Sequence, residues 1–137
     1  MNFVLDASVA LSWAFEDERD TYSLGILERL LTGEAVTSSI WPLEVSNALI
    51  SAERRKRISS SDAARFGSYL LALPIVVEPG ERRASLLDVR HLARDHTLSS
   101  YDASYLEVAL RRGIPLATED MALSRAAESA GVTLVKG

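Results

Sequence analysis

Five short apolar runs, separated by longer stretches of helical period, constrain this chain more than any other feature. The runs are Phe3-Val4-Leu5, Ala35-Val36-Thr37, Ile75-Val76-Val77, Ile114 to Thr118 and Val132 to Val135. Each is nearly continuous rather than alternating, so the strand it makes must be buried on both faces. Between them the spacing predicts helices near residues 8–15, 20–32, 41–57, 60–73, 81–96, 100–112 and 120–130. Gly33, Gly113 and Gly131 stand where C-terminal caps belong, and Pro74 and Pro115 fall where helix gives way to strand. Strands alternating with helices require right-handed crossovers and a parallel sheet covered on both faces. The expected fold is a three-layer α/β/α domain with a parallel sheet of about five strands, residues 1–137 forming one domain. A chain of 137 residues is long enough to bury most of its apolar surface.

In such a fold, ligands bind beyond the carboxyl ends of the strands, where the strand order reverses. Asp6 lies at the end of the first run and Asp120 just beyond the fourth, in IPLATED. Two more acids face inward by helical projection. Glu44 lies at the edge of the stripe Trp41, Val45, Ala48, Leu49, Ala52, with Asn47 and Ser51 beside it. Asp102 shares the face of Tyr105, Leu106 and Ala109. An unpaired charge on such a face costs several kcal/mol.

Each acid also has a helix-end reading. Asp6 could cap the helix that follows, with Ser8 the better candidate for that task. Ser99 to Asp102 has capping-box spacing, Asp120 suits an N-cap, and Glu44 in a first turn suits the helix dipole. Taken together, two acids at strand ends and two in first turns converge on one rim. Carboxylates so gathered either protonate or hold a divalent cation. An oxygen-only set suits Mg²⁺ or Mn²⁺, and the chain has no cysteine to compete for zinc. Without a glycine-rich phosphate loop, such a rim points to hydrolytic phosphodiester chemistry.

Other features bound the reading. The net charge of −4 argues against a general nucleic-acid coating protein, although clustered acids would leave the remaining surface near neutral. With 47% hydrophobic and 25% charged residues, no basic leader and no apolar run of membrane-spanning length, the expectation is a soluble cytoplasmic protein. His91 and His96 lie away from the acids and read as solvated or capping groups. Arg54 to Arg57 reads as an exposed basic helix end, with an RNA-phosphate contact as its alternative. Glu16 to Asp20 reads as a solvated acidic loop that could meet a basic partner segment. Trp13 and Trp41 read as core residues, and Leu43 and Ile50 as a second, partner-facing apolar patch.

Four segments, in order, resemble PIN-domain ribonucleases, specifically the VapC-type toxins of toxin–antitoxin pairs: FVLDASV, PLEVSNAL, LSSYDASYLEVAL and LATEDMAL. The resemblance runs from FVLDASVAL to GVTLV. It implies that Asp6, Glu44, Asp102 and Asp120 form an acidic quartet holding Mg²⁺ or Mn²⁺, supported by Ser8, Asn47 and Thr118. Glu119 is an alternative ligand, but the T-x-D register favours Asp120. Ala122 and Leu123 occupy positions where some branches carry a further acid. The first strand would lie beside the fourth, setting Asp6 next to Asp120. The implied activity is metal-assisted hydrolysis of RNA. The implied partners are an RNA substrate, a VapB-like antitoxin and a second copy of the chain. An RNA-processing nuclease outside any toxin–antitoxin pair, or a silent binding module, would share these motifs. A receiver-like phosphoacceptor would need a lysine after the last strands, and neither Lys56 nor Lys136 is well placed.

Overall fold

The computed structural model describes residues 2–137. Four parallel strands form one sheet in the order β3-β2-β1-β4: β1 is Asn2–Leu5, β2 Glu34–Thr37, β3 Ile75–Val77 and β4 Leu116–Ala117. Phe3, Val4 and Leu5 are wholly buried, as expected of the central strand of a two-faced parallel sheet. Among the described residues, seven α-helices cover the sheet: α1 Ala7–Ser12, α2 Thr21–Arg29, α3 Trp41–Arg54, α4 Ser60–Ala72, α5 Val89–His96, α6 Ser100–Arg112 and α7 Met121–Ser129. Helix α1 packs on α2 and α3, and α3 on α4; α6 packs on α5, α7, β1 and β4. The three-layer α/β/α expectation holds.

The strand order explains where the site lies. The chain leaves β1 toward β2 through α1 and α2, and it reaches β4, on the other side of β1, through α5 and α6. The order therefore reverses at β1, and the crevice opens between the carboxyl ends of β1 and β4. Val4 pairs with Leu116 and Leu5 with Ala117, so the residues that follow, Asp6 and Thr118, leave the sheet side by side.

The fifth expected strand is reduced to one parallel bridge between Leu116 and Leu134. Beyond it the backbone finds other partners: Tyr22 donates to the Val135 carbonyl at 2.9 Å, and Arg29 takes the Lys136 carbonyl. The predicted helix 8–15 ends at Ser12, where Trp13 and Ala14 close tight turns onto Ala10 and Leu11. The helix expected over 81–96 opens as a π-helical turn, Ala84–Asp88, before α5. Gly113 and Gly131 take the left-handed conformation, at φ 65° and 82°. Gly33 does not; α2 ends earlier, on Leu30. Among the described residues, no helix is long and apolar enough to cross a membrane.

Candidate functional site

Asp6 is buried, with 3% of its surface exposed, yet three donors surround its carboxylate. Ser8 Oγ lies 2.8 and 2.9 Å from the two oxygens, Val9 N–H donates to Oδ1 at 3.2 Å, and Thr118 Oγ1 donates to Oδ2. Asp6 is thus the N-cap of α1, and Ser8 is not. The serine sits inside the helix, where its hydroxyl reaches back to the aspartate instead of to a free backbone N–H. The sequence expectation is corrected on this point.

The same hydroxyls anchor the loop after β4. Ser8 Oγ accepts Glu119 N–H and Thr118 Oγ1 accepts Asp120 N–H, both at 3.0 Å. Two relays therefore run from that loop's backbone through a hydroxyl to Asp6. Asp120 caps α7 by accepting Leu123 N–H at 2.8 Å. Asp102, in the first turn of α6, has its own N–H accepted by Ser99 Oγ at 3.1 Å. Glu44, in the first turn of α3, accepts the Tyr105 hydroxyl at 2.5 Å.

Electrostatics tie the four acids together. Burial pushes the Asp6 carboxyl up to about 7; the Thr118, Ser8 and Val9 hydrogen bonds oppose the rise, and the Asp102 charge adds to it. Burial likewise raises Asp102, with Asp120 adding to the effect. Burial raises Glu44 too, opposed by Tyr105 and reinforced by Asp102. Asp102 is the hub, felt by both Asp6 and Glu44. No arginine or lysine is among the groups that move these three carboxyls. A buried, mutually repelling acid cluster without a protein cation is an incomplete electrostatic arrangement, and a hard divalent cation fits its oxygen-only donors. Among the described residues, no three acid or histidine side chains converge closely enough to ligate one ion directly.

The remaining expected residues divide. Thr118 and Ser8 reach Asp6. Asn47 sits one turn beyond Glu44, exposed, with no side-chain hydrogen bond among the described residues. Glu119 is tied to α1: its Oε2 accepts Ser12 Oγ at 2.7 Å, and its Oε1 is buried without a partner among the described residues. Burial raises its carboxyl, with Asp20 nearby contributing. His91 pairs with Asp95 on the exposed face of α5. Trp13 is core, its indole N–H donating to the Ser23 carbonyl at 2.7 Å, and Trp41 is buried as well.

The acidic run is less free than expected. Glu16–Glu18 forms a 3₁₀ turn, Arg57 pairs with Asp17 and Glu18, and its guanidinium lies 4.3 Å from the centre of the Phe15 ring. The basic end of α3 and the acidic loop neutralise each other across 40 residues. Sequence reading treated them separately, because nothing local joins them. Tyr105 was legible only as a core-face residue. Its spacing of three from Asp102 was the signal that its hydroxyl would reach the same acids.

Leu43 is exposed, and between α3 and α4 runs an apolar groove of about 440 Å³ lined by Trp41, Val45, Leu49, Ile50 and Leu70, with Leu71 at its rim.

The sequence model for the PIN domain matches residues 3–129. No curated protein matches the chain in sequence. Several solved structures share the fold. PAE2754 of Pyrobaculum aerophilum is 23% identical with a TM-score of 0.72, over 92% of this chain and 84% of that one. The Mycobacterium tuberculosis VapC20 structure, described as a Sarcin-Ricin loop cleaving toxin, is 18% identical with a TM-score of 0.71, over 98% and 99%. VapBC2 of Rickettsia felis, solved with a DNA fragment from its promoter, is 14% identical with a TM-score of 0.69, over 98% of both chains.

Proposed function

The chain belongs to the PIN-domain family, and from that premise we propose that it is a Mg²⁺- or Mn²⁺-dependent endoribonuclease acting as the toxin of a VapBC-type pair. The observation that carries this reading is the cluster of Asp6, Glu44, Asp102 and Asp120, buried or half-buried at the β1/β4 crevice without a counter-charge of its own.

In this reading Asp6, Asp102, Glu44 and Asp120 hold the cation, directly or through its water. When bound, the ion supplies Lewis-acid stabilisation of charge on the phosphoryl oxygens and lowers the pKa of a coordinated water. The chain's own residues do the rest. Ser8, Thr118 and Val9 fix the Asp6 carboxylate in one orientation, so no reorganisation is needed as charge develops. One of these carboxylates accepts the proton lost by the attacking water. The toxin assignment draws on VapC20, and the antitoxin partner on VapBC2. An antitoxin of this kind would lay an amphipathic helix in an apolar groove and bring a basic side chain toward the uncompensated carboxylates. A second copy of the chain is the other partner we assign.

The test is cleavage of structured and single-stranded RNAs by the purified protein with Mg²⁺, Mn²⁺ or EDTA, beside Asp6→Asn. The expected result is cleavage that needs the metal and the aspartate. Equal cleavage in EDTA or by the variant would remove the mechanism. Growth arrest on expression, relieved by a neighbouring small DNA-binding protein, distinguishes a toxin from an RNA-processing nuclease.

A further inference from the structure

We propose that Tyr105 is a positioning residue that holds Glu44 within the acid cluster and thereby sets the cluster's affinity for a divalent cation; the inference rests on the metal-site reading above.

Tyr105 lies in α6, three residues after Asp102 and on the same face, and only 1% of its surface is exposed. A phenol so enclosed cannot hydrogen-bond to bulk water, and leaving it unsatisfied would be costly. Among the described residues its one partner is Glu44 Oε1, 2.5 Å away on α3. A hydroxyl donating to a carboxylate at this distance makes a strong, charge-assisted bond. Glu44 faces the Asp102 charge, and the Tyr105 hydroxyl is the group that favours its ionised form there. Without that donor, Asp102 repels the carboxylate and solvent is its alternative partner, since Glu44 is only half-buried. The bond occupies Oε1; Oε2 accepts no hydrogen bond among the described residues and remains free for an ion or its water. Tyr105 is therefore to Glu44 what Thr118 and Ser8 are to Asp6. Like the Thr118 bond, it reaches between elements, here joining α6 to α3. Loss of such a supporting hydrogen bond typically weakens metal affinity about 10–100-fold.

The experiment uses the full chain and Mn²⁺ as the probe, with free ion measured by electron paramagnetic resonance. Wild type, Asp6→Asn, Tyr105→Phe, Glu44→Gln and the Tyr105→Phe/Glu44→Gln double variant are compared, each checked for folding by circular dichroism. Mn²⁺ affinity in Tyr105→Phe should fall about tenfold, and the same change made on Glu44→Gln should alter affinity less than about twofold, because there is no charge left to position. Unchanged affinity in Tyr105→Phe, or an equal loss in both backgrounds, would overturn the proposal. If the wild type itself binds no Mn²⁺, the metal-site reading fails, and with it the cation half of the proposal.

The pairing is tested separately, without metal, by urea unfolding of Tyr105→Phe, Glu44→Ala and their double variant. Removing the hydroxyl should lower the folding constant several-fold in wild type and leave it unchanged or raised in Glu44→Ala, where the phenol has already lost its acceptor. Equal costs in both backgrounds would show that the hydroxyl does not hold Glu44.

Discussion

Asp6 should make the metal-free protein less stable as pH rises, and the size of the effect follows from its burial. Its carboxyl titrates near 7 in the fold, against an ordinary 3.8. The folded state therefore binds the proton more tightly than the unfolded chain does. By linkage, the Asp6 contribution is fully present below 3.8 and is lost as pH rises through about 7. At about 1.4 kcal/mol for each pH unit in that window, moving from about pH 5 to about pH 8 removes roughly 3 kcal/mol. Asp102 and Glu44, also raised, act in the same direction. Asp20, Glu78 and Glu81 are lowered and act oppositely, but only at pH values below the ordinary carboxylate range. The assay is urea unfolding in EDTA across this range, for wild type and Asp6→Asn. The asparagine can still accept the Val9 N–H and cap α1, but it cannot ionise. Its profile should be flatter, and by about pH 8 it should be the more stable protein by roughly 2–4 kcal/mol. Saturating Mn²⁺ should restore much of the wild-type loss, by about 2.7 kcal/mol at one hundred times its dissociation constant, and should do little for the variant. A flat wild-type profile, or a parallel one in the variant, would refute the assignment of Asp6 as a buried, uncompensated acid.

Two further outcomes are expected. Gly113→Ala places a Cβ on a left-handed C-cap at φ 65° and should cost about 1–2 kcal/mol in urea unfolding, although nothing lies within 4 Å to clash with it. Ser12→Ala removes the hydroxyl that the half-buried Glu119 accepts and should cost about 1–3 kcal/mol, with little change in Mn²⁺ affinity if Glu119 stands outside the ion's reach.

The placement of the acids was legible because periodicity and topology both speak to it. A carboxylate directly after a continuous apolar run must emerge at a strand end, and inward projection marked Glu44 and Asp102 before any contact was known. The cap of α1 was not legible, since aspartate and serine two residues apart both cap helices well and the sequence does not fix the first turn. The fifth run shrinks to a single bridge for a different reason. Val132 to Val135 has strand character, but whether its last carbonyl meets a strand or the side chain of Tyr22 is decided by a residue more than 100 positions away. The Arg57 contact with Asp17 and Glu18, and the reach of Tyr105 to Glu44, are likewise products of tertiary closure.

The pairing of β1 with β4 has a consequence for when the site can exist. Asp6 and Thr118 are 112 residues apart in the chain. During synthesis Asp6 emerges 112 residues before the Thr118 hydroxyl that orients it, and Asp120 follows that hydroxyl. Non-local closures of this span are late and slow. A nascent or truncated chain can thus carry Asp6, Glu44 and even Asp102 without being able to assemble them. The fold withholds its acidic rim until β4 and the loop after it have been made.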